Sequence, residues 1–179
     1  MGRPVTLFTG QWADLPFEEV CKKASAWGYE GLEIACWGDH MDVRKAVSDS
    51  DYVAHKLEIL KKYDLKCWAL GAHLSGQCVG DEDDPRLLTF APDELKETPE
   101  KISAWATEEM IFTAQAAEKM GCYVVTGFMG SSIWKYLYSF PPNSDEQIEE
   151  GYQKVLKLWT PIFDEFDKFV GIENLKILH

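Results

Sequence analysis

Along this chain, short runs of apolar, β-branched and aromatic residues alternate with longer stretches of helical periodicity. Residues 5–9 (VTLFT) predict a first strand, which gives way to Gly10-Gln-Trp12. Asp14 and Pro16 then mark a helix start, and Phe17, Val20, Cys21, Ala24 and Trp27 recur at helical spacing until Gly28. Residues 32–36 predict a second strand that carries one carboxylate, Glu33, and opens onto Trp37-Gly-Asp-His40. Residues 42–50 are charged and irregular; Asp51 then predicts a capped helix with Val53, Leu57 and Leu60 on its buried side. A third strand follows at 65–70 (LKCWAL), with a polar, Gly-rich exit at Gly71-Ala-His-Leu-Ser-Gly-Gln77.

Residues 81–98 have no clear period, begin acidic and contain Pro85 and Pro92; loops this long in a compact domain tend to be functional or mobile. Thr98-Pro99 then reads as an N-cap and a first-turn proline. The helix behind it turns Ile102, Trp105, Ala106, Met110, Ala114 and Ala117 inward and stops at Gly121. Residues 123–126 (YVVT) predict a fourth strand with the exit Gly127-Phe-Met-Gly-Ser-Ser132, followed by an aromatic segment at 133–140. A fourth helix starts near Ser144 with Ile148, Val155, Leu158 and Trp159 on one face, and Pro161 either kinks it or starts a new helix capped by Thr160. The tail, 171–179, has the composition of a beginning fifth strand.

Four βα units in succession imply a parallel sheet with right-handed crossovers. Two α/β architectures fit: a small doubly wound sheet, or about half of a (β/α)8 TIM-type barrel. The first strand is not followed by the glycine fingerprint of a dinucleotide fold, and polar residues gather after every strand, where barrels build their sites. The expectation is therefore one partial barrel domain over residues 1–179.

Composition narrows the partners. The 30 acidic residues against 18 basic ones give a net charge of −12, which argues against nucleic acid or an anionic membrane surface as partner. No run approaches membrane-spanning length. Five cysteines, an odd number without close Cys/His spacing, sit mostly in apolar runs and fit a reducing compartment, so the expected location is the cytoplasm. The expected ligand is a neutral or metal-assisted small molecule.

Glu33 alternates with Leu32 and Ile34 and so lies on the opposite strand face, where a carboxylate must be paired, hydrogen-bonded or bound to a ligand. A place at a solvated sheet edge, or a structural ion pair with a neighbouring strand, is an equal alternative for it. His40 and His73 each follow a strand by a few residues, where an imidazole can act as acid, base or ligand. Trp12, Trp37 and Trp134 fall just past strands and suit the apolar faces of sugar rings, with Gln11, Gln77 and Asp39 available to hydroxyls; each Trp can equally pack a loop onto the sheet. The 127–132 segment offers backbone N–H groups to an anion but lacks a P-loop lysine. No nucleophile elbow, HExxH or zinc-type cysteine pair occurs.

At Phe8-Thr-Gly-Gln-Trp12, Gly31-Leu-Glu-Ile-Ala-Cys-Trp-Gly-Asp-His40, His73-Leu-Ser-Gly-Gln77 and Thr126-Gly-Phe-Met-Gly-Ser-Ser-Ile-Trp134 the sequence resembles the sugar phosphate isomerase/epimerase family, a branch of the xylose-isomerase-like TIM barrels. The resemblance runs from about residue 5 to about residue 167. It implies a barrel that uses a divalent metal (Mn, Mg or Zn) while carboxylates move a proton between adjacent carbons of a sugar or polyol. It carries Glu33, His40 and His73 over as site-lining residues, and Trp12, Trp37, Gln77 and Trp134 as substrate-wall residues.

The same resemblance places the family's metal ligands chiefly on strands five to eight, the fifth carrying a Glu followed closely by a His. Here Glu173 and His179 are too far apart to supply that pair. The expectations are a chain that matches the first half of the barrel, binds no metal by itself and is inactive alone, and whose open sheet is covered by self-association into a homo-oligomer. A non-enzymatic half-barrel that binds a sugar-like ligand is the alternative. The endonuclease branch of the same superfold is disfavoured by the net charge and the lack of a basic stripe.

Overall fold

The computed structural model describes residues 3–81, 85–168 and 176–178. The chain divides into two compact units, one built from residues 1–72, 112–126 and 169–179 and the other from 73–111 and 127–168.

The first unit holds the sheet. Strands β1 (Thr6–Phe8), β2 (Gly31–Ala35), β3 (Lys66–Gly71), β4 (Val124–Thr126) and β5 (Lys176–Leu178) are all parallel and lie side by side in chain order. A doubly wound sheet reverses its order part-way. Sequential order is that of a barrel wall, which settles the choice between the two architectures. Apolar residues align across the strands in rows, Leu7–Leu32–Cys67 and Ile34–Leu70–Val125. Leu32, Ile34, Leu70 and Val125 are fully buried, whereas Glu33, between two of them, is only half-buried. The expected strand at the tail is present as β5, while Glu173 and His179 lie outside the described residues.

Helix α1 (Phe17–Ala26) buries Phe17, Val20, Cys21 and Ala24, four of its five expected stripe residues. Trp27 departs: it is the C-cap, 55% exposed, because Gly28 turns the chain at φ +85° one residue later. The 42–50 stretch is not irregular. Asp42 accepts from the Lys45 N–H and starts a short helix, α2 (Val43–Ser48), which buries Val43 and Ala46. Asp49, rather than Asp51, caps α3 (Ser50–Lys62), accepting from the N–H groups of Asp51 and Tyr52. Starting there, α3 buries Val53, Lys56, Ile59 and Leu60 and leaves Leu57 exposed. Each full apolar burial of this kind contributes about 1.5–3 kcal/mol.

The second unit is helical. The Gly-rich exit after β3, expected as a loop, is helix α4 (His73–Gly80). Three short 3-10 turns follow (Pro85–Thr89, Asp93–Leu95 and Pro99–Lys101), and the last leads into α5 (Ile102–Lys119), whose second half belongs to the first unit. Helix α6 (Asp145–Lys168) runs unbroken through Pro161, and Thr160 caps nothing: its hydroxyl donates back to the Leu156 carbonyl. Trp159, Ile162 and Phe166 are its buried apolar residues.

Candidate functional site

In the first unit, Glu33 meets a neighbour of its own sheet. Thr126 Oγ1 donates to Glu33 Oε1 at 2.6 Å, so the carboxylate reaches past β3 to the end of β4. Charge-assisted bonds of this length hold a side chain firmly. The structure thus gives Glu33 a hydrogen-bonding role within the sheet.

His40 is not on an accessible wall. It is fully buried, with Nδ1 2.9 Å from Thr9 Oγ1 and Nε2 3.1 Å from the Leu15 carbonyl. A carbonyl can only accept, so Nε2 carries the proton and Nδ1 accepts from the Thr9 hydroxyl. The Thr9 oxygen in turn accepts from the Ala35 N–H at 2.9 Å. This relay ties the turn after β1 to the end of β2 and to the loop behind it. Burial lowers the His40 pKa, against the opposing pull of the Leu15 carbonyl, and holds the ring neutral. The expected site-lining role of His40 is corrected to a structural one, because both ring nitrogens are engaged and no surface is left for a ligand.

Trp12 and Trp37 are both half-buried and both pack on aromatic neighbours. Trp12 lies 5.9 Å from Trp27, and Trp37 meets Phe8 edge-on at 5.8 Å. They behave in part as packing residues of the first unit.

The second unit brings three expected residues together. His73 at the first position of α4, Gln77 one turn on, and Trp134 in a short 3-10 turn (Trp134–Tyr136) line one cleft of about 460 Å³. Their companions Leu74, Asp81, Leu87, Phe90 and Phe128 were not singled out from the sequence, and Arg86 stands at the rim, exposed. Phe90, Phe128 and Trp134 are 38%, 55% and 49% exposed, so three aromatic faces are available to a ligand. The His73 ring stacks at a tilt on Phe128, with centroids 5.0 Å apart.

The cleft floor is built by close backbone packing. Gly76 and Gly80, one turn apart on α4, face the backbone of residues 128–130, where a Cβ at Gly76 would strike the Phe128 carbonyl oxygen. Gly130 adopts φ +69° as it passes under α4. On its other side the loop is fixed by Trp159, whose indole N–H donates to the Met129 carbonyl at 2.9 Å. The sequence offers the N–H groups of this loop to an anion. Its Ser131 N–H meets a carboxylate of the chain itself, Asp81 Oδ1, at 2.6 Å, and Gln77 Nε2 donates to the other Asp81 oxygen. Asp81 is 8% exposed and spends its acceptors on these donors. The arrangement, aromatic faces beside a part-buried amide–carboxylate pair and an imidazole, suits a polyhydroxylated molecule with one apolar face.

Among the described residues, no three of His, Cys, Asp and Glu converge as a metal site demands. Glu33, His40 and Asp81 are each engaged elsewhere, so these residues by themselves do not fit a divalent ion. Nor is any helix among them long and apolar enough to cross a membrane.

The family description "xylose isomerase-like TIM barrel" matches residues 21–177. The chain belongs to that family. Its fold is that of the xylose isomerase-like barrels in solved structures as well. It is similar to a xylose isomerase domain protein from Planctomyces limnophilus at 11% identity and TM-score 0.56, covering 93% of this chain and 51% of that one. It is similar to D-psicose 3-epimerase from Clostridium cellulolyticum, determined with D-tagatose, at 9% identity and TM-score 0.55, covering 93% and 50%. A third is the IolI protein, determined with a bound zinc atom, at 14% identity and TM-score 0.51, covering 98% and 50%. The chain thus spans about half the length of these structures. No curated protein sequence matches it.

Proposed function

We propose that this chain is the substrate-binding part of a sugar isomerase/epimerase-type barrel, and that the cleft of the second unit takes a sugar or polyol. One observation carries the reading: Trp134, His73 and Gln77 converge on a single aromatic-walled cleft. The epimerase neighbour determined with D-tagatose supports the ligand class. In this reading Trp134 and Phe128 cover the C–H face of the sugar, the Gln77 amide oxygen accepts from a hydroxyl, and His73 contacts the ligand from the start of α4. Glu33, Trp12 and Trp37 remain proposed substrate-side residues of the first unit, and residues 1–179 are taken together as one partial barrel domain.

Isomerisation or epimerisation requires a proton to move between adjacent carbons, and in the complete barrel a divalent metal would polarise the carbonyl/hydroxyl pair concerned. The zinc of the IolI neighbour supports that assignment for the whole barrel. This chain's described residues do not fit such an ion, so their part is to bind and orient. The chain alone is proposed to bind sugar without turning it over and to reside in the cytoplasm, where its five thiols stay reduced. Saturation-transfer NMR against a panel of ketoses and aldoses tests this. Transfer from aromatic protons to ring C–H protons is expected, and its absence across the panel counts against the reading.

Self-association is part of the same proposal. Leu137, Tyr138 and Phe140 are 62%, 96% and 99% exposed, an apolar surface that soluble monomers seldom display. Sedimentation analysis should give a homo-oligomer; a strictly monomeric species would contradict it.

A further inference from the structure

We infer that Asp81 is the positioning residue of the cleft: on the reading that a sugar binds there, its carboxylate fixes which end of the Gln77 amide faces the ligand, and so makes the cleft select a hydroxyl that donates. Asp81 follows helix α4 directly and is 8% exposed, in the same unit as Gln77 and Ser131. Its two carboxylate oxygens are divided between two elements. Oδ1 accepts from the Ser131 backbone N–H at 2.6 Å, and Oδ2 accepts from Gln77 Nε2. A carboxylate can only accept, so each partner must present an N–H to it. The Ser131 backbone has no other group to offer in that direction. Gln77 has a choice, because a side-chain amide can turn over and exchange its oxygen for its NH2 group. Asp81 removes that choice: the NH2 is held at the carboxylate, and the carbonyl oxygen takes the other branch of the same planar group. Gln77 lines the cleft, and this second branch is the one offered to a ligand.

The backbone around Asp81 is set by contacts that its side chain does not make. Its own N–H donates to the Gln77 carbonyl at 3.3 Å and closes the last turn of α4. Just before it, the Val79 carbonyl accepts from Ser103 Oγ at 2.8 Å, at the start of α5. Gly80 and Gly130 bring α4 and the 127–132 loop so close that a Cβ at Gly80 would strike the Met129 carbonyl oxygen, and one at Gly130 the Gln77 carbonyl oxygen. The Met129 carbonyl is itself fixed by the Trp159 indole. With the two elements already seated on each other, the carboxylate is left to orient an amide, and charge-assisted bonds do this more firmly than neutral ones.

Asp81→Asn inverts the arrangement at nearly constant size. One oxygen remains, and the Ser131 N–H, which cannot turn, takes it. The new NH2 group then faces Gln77 and is met only by an acceptor, so the Gln77 amide turns over and presents its own NH2 to the ligand. A cleft that accepts from a ligand hydroxyl becomes one that donates to it.

The test is calorimetric titration of the full chain, wild type and Asp81→Asn, with hexoses (D-glucose, D-fructose and D-tagatose among them) and with monodeoxyfluoro derivatives of those that bind. Fluorine in place of a hydroxyl can accept but cannot donate. At the hydroxyl facing Gln77 the replacement is expected to weaken wild-type binding about tenfold, the loss of one hydrogen bond with its partner left unmet, and to weaken the variant by less than about twofold. A purely structural role for Asp81 would weaken every member of the series alike and leave their order unchanged. The Gln77 side-chain amide gives a second readout by NMR without any ligand: its NH2 protons should be shifted downfield and protected from exchange in the wild type, and lose both in the variant. If the variant does not fold, the wild type decides, and either no fluorinated derivative weakened or Gln77 NH2 protons exchanging freely overturns the assignment. The same order of derivatives in both proteins overturns it while leaving the sugar reading intact; no hexose bound to the wild type overturns both.

Discussion

Replacing Thr9 by Val probes the polar relay behind β2. The valine keeps the volume and branching but deletes the hydroxyl that accepts from the Ala35 N–H and donates to His40 Nδ1. Both partners are fully buried, so neither can turn to water. A buried donor or acceptor left unmet costs about 1–3 kcal/mol, and two of them sum to about 2–5 kcal/mol after the added methyl is credited. That is a large part of the stability of a typical domain. Thr9→Ser retains the hydroxyl and should lose only about 1 kcal/mol for one methyl. Urea unfolding followed by fluorescence measures both, and the slope of the transition should not change. A Thr9→Val protein within about 0.5 kcal/mol of wild type would refute the relay.

Three further outcomes follow from other parts of the molecule. Because burial lowers the His40 pKa below its ordinary 6.5, the unfolded chain binds a proton there that the folded chain refuses. Stability should therefore be fully present above pH 6.5 and fall as the pH drops from 6.5 toward the folded value, by up to about 1.4 kcal/mol per pH unit. His40→Asn should flatten that slope; an unchanged slope would remove His40 as its source. Gly76→Ala drives a methyl into the Phe128 carbonyl oxygen and should cost about 1–3 kcal/mol in thermal or urea unfolding, whereas an unperturbed protein would deny the close seating of α4 on the loop. Trp159→Phe should lose about 0.5–1.5 kcal/mol with the bond to the Met129 carbonyl, and no loss would show that the bond does not anchor the loop.

What could be read in the sequence was whatever depends on near neighbours. The Leu32–Glu33–Ile34 alternation announced a strand with one unusual face, and the α1 stripe announced a helix with one buried side. Helix α2 was missed because a six-residue helix shows too little period, leaving only its Asp42 cap as a sign. Helix α4 read as a loop because Gly76 and Gly80 serve a contact rather than helix propensity, and that contact lies some fifty residues along the chain at 128–130. The site divided in the same way. His40 looked functional since its partners, Thr9 and Leu15, stand 31 and 25 residues away and cannot be inferred from its own surroundings. Asp81 looked like one of an acidic run, and the donors that explain its burial, Gln77 and Ser131, are joined only in the folded chain. His73, Gln77 and Trp134 stand out in the sequence by their places after strands and by the family resemblance, and in the fold they line one cleft.

Calorimetric titration of the folded chain with ketoses and aldoses, in parallel on wild type and Trp134→Ala, tests the central claim most directly. Trp134 is 49% exposed, so its removal should leave the fold intact. The account predicts saturable binding of at least one sugar to the wild type and at least about a tenfold weakening in the variant, the loss of roughly 1.4 kcal/mol of stacking. Equal affinity in the two proteins, or no binding of any sugar to the wild type, would contradict it.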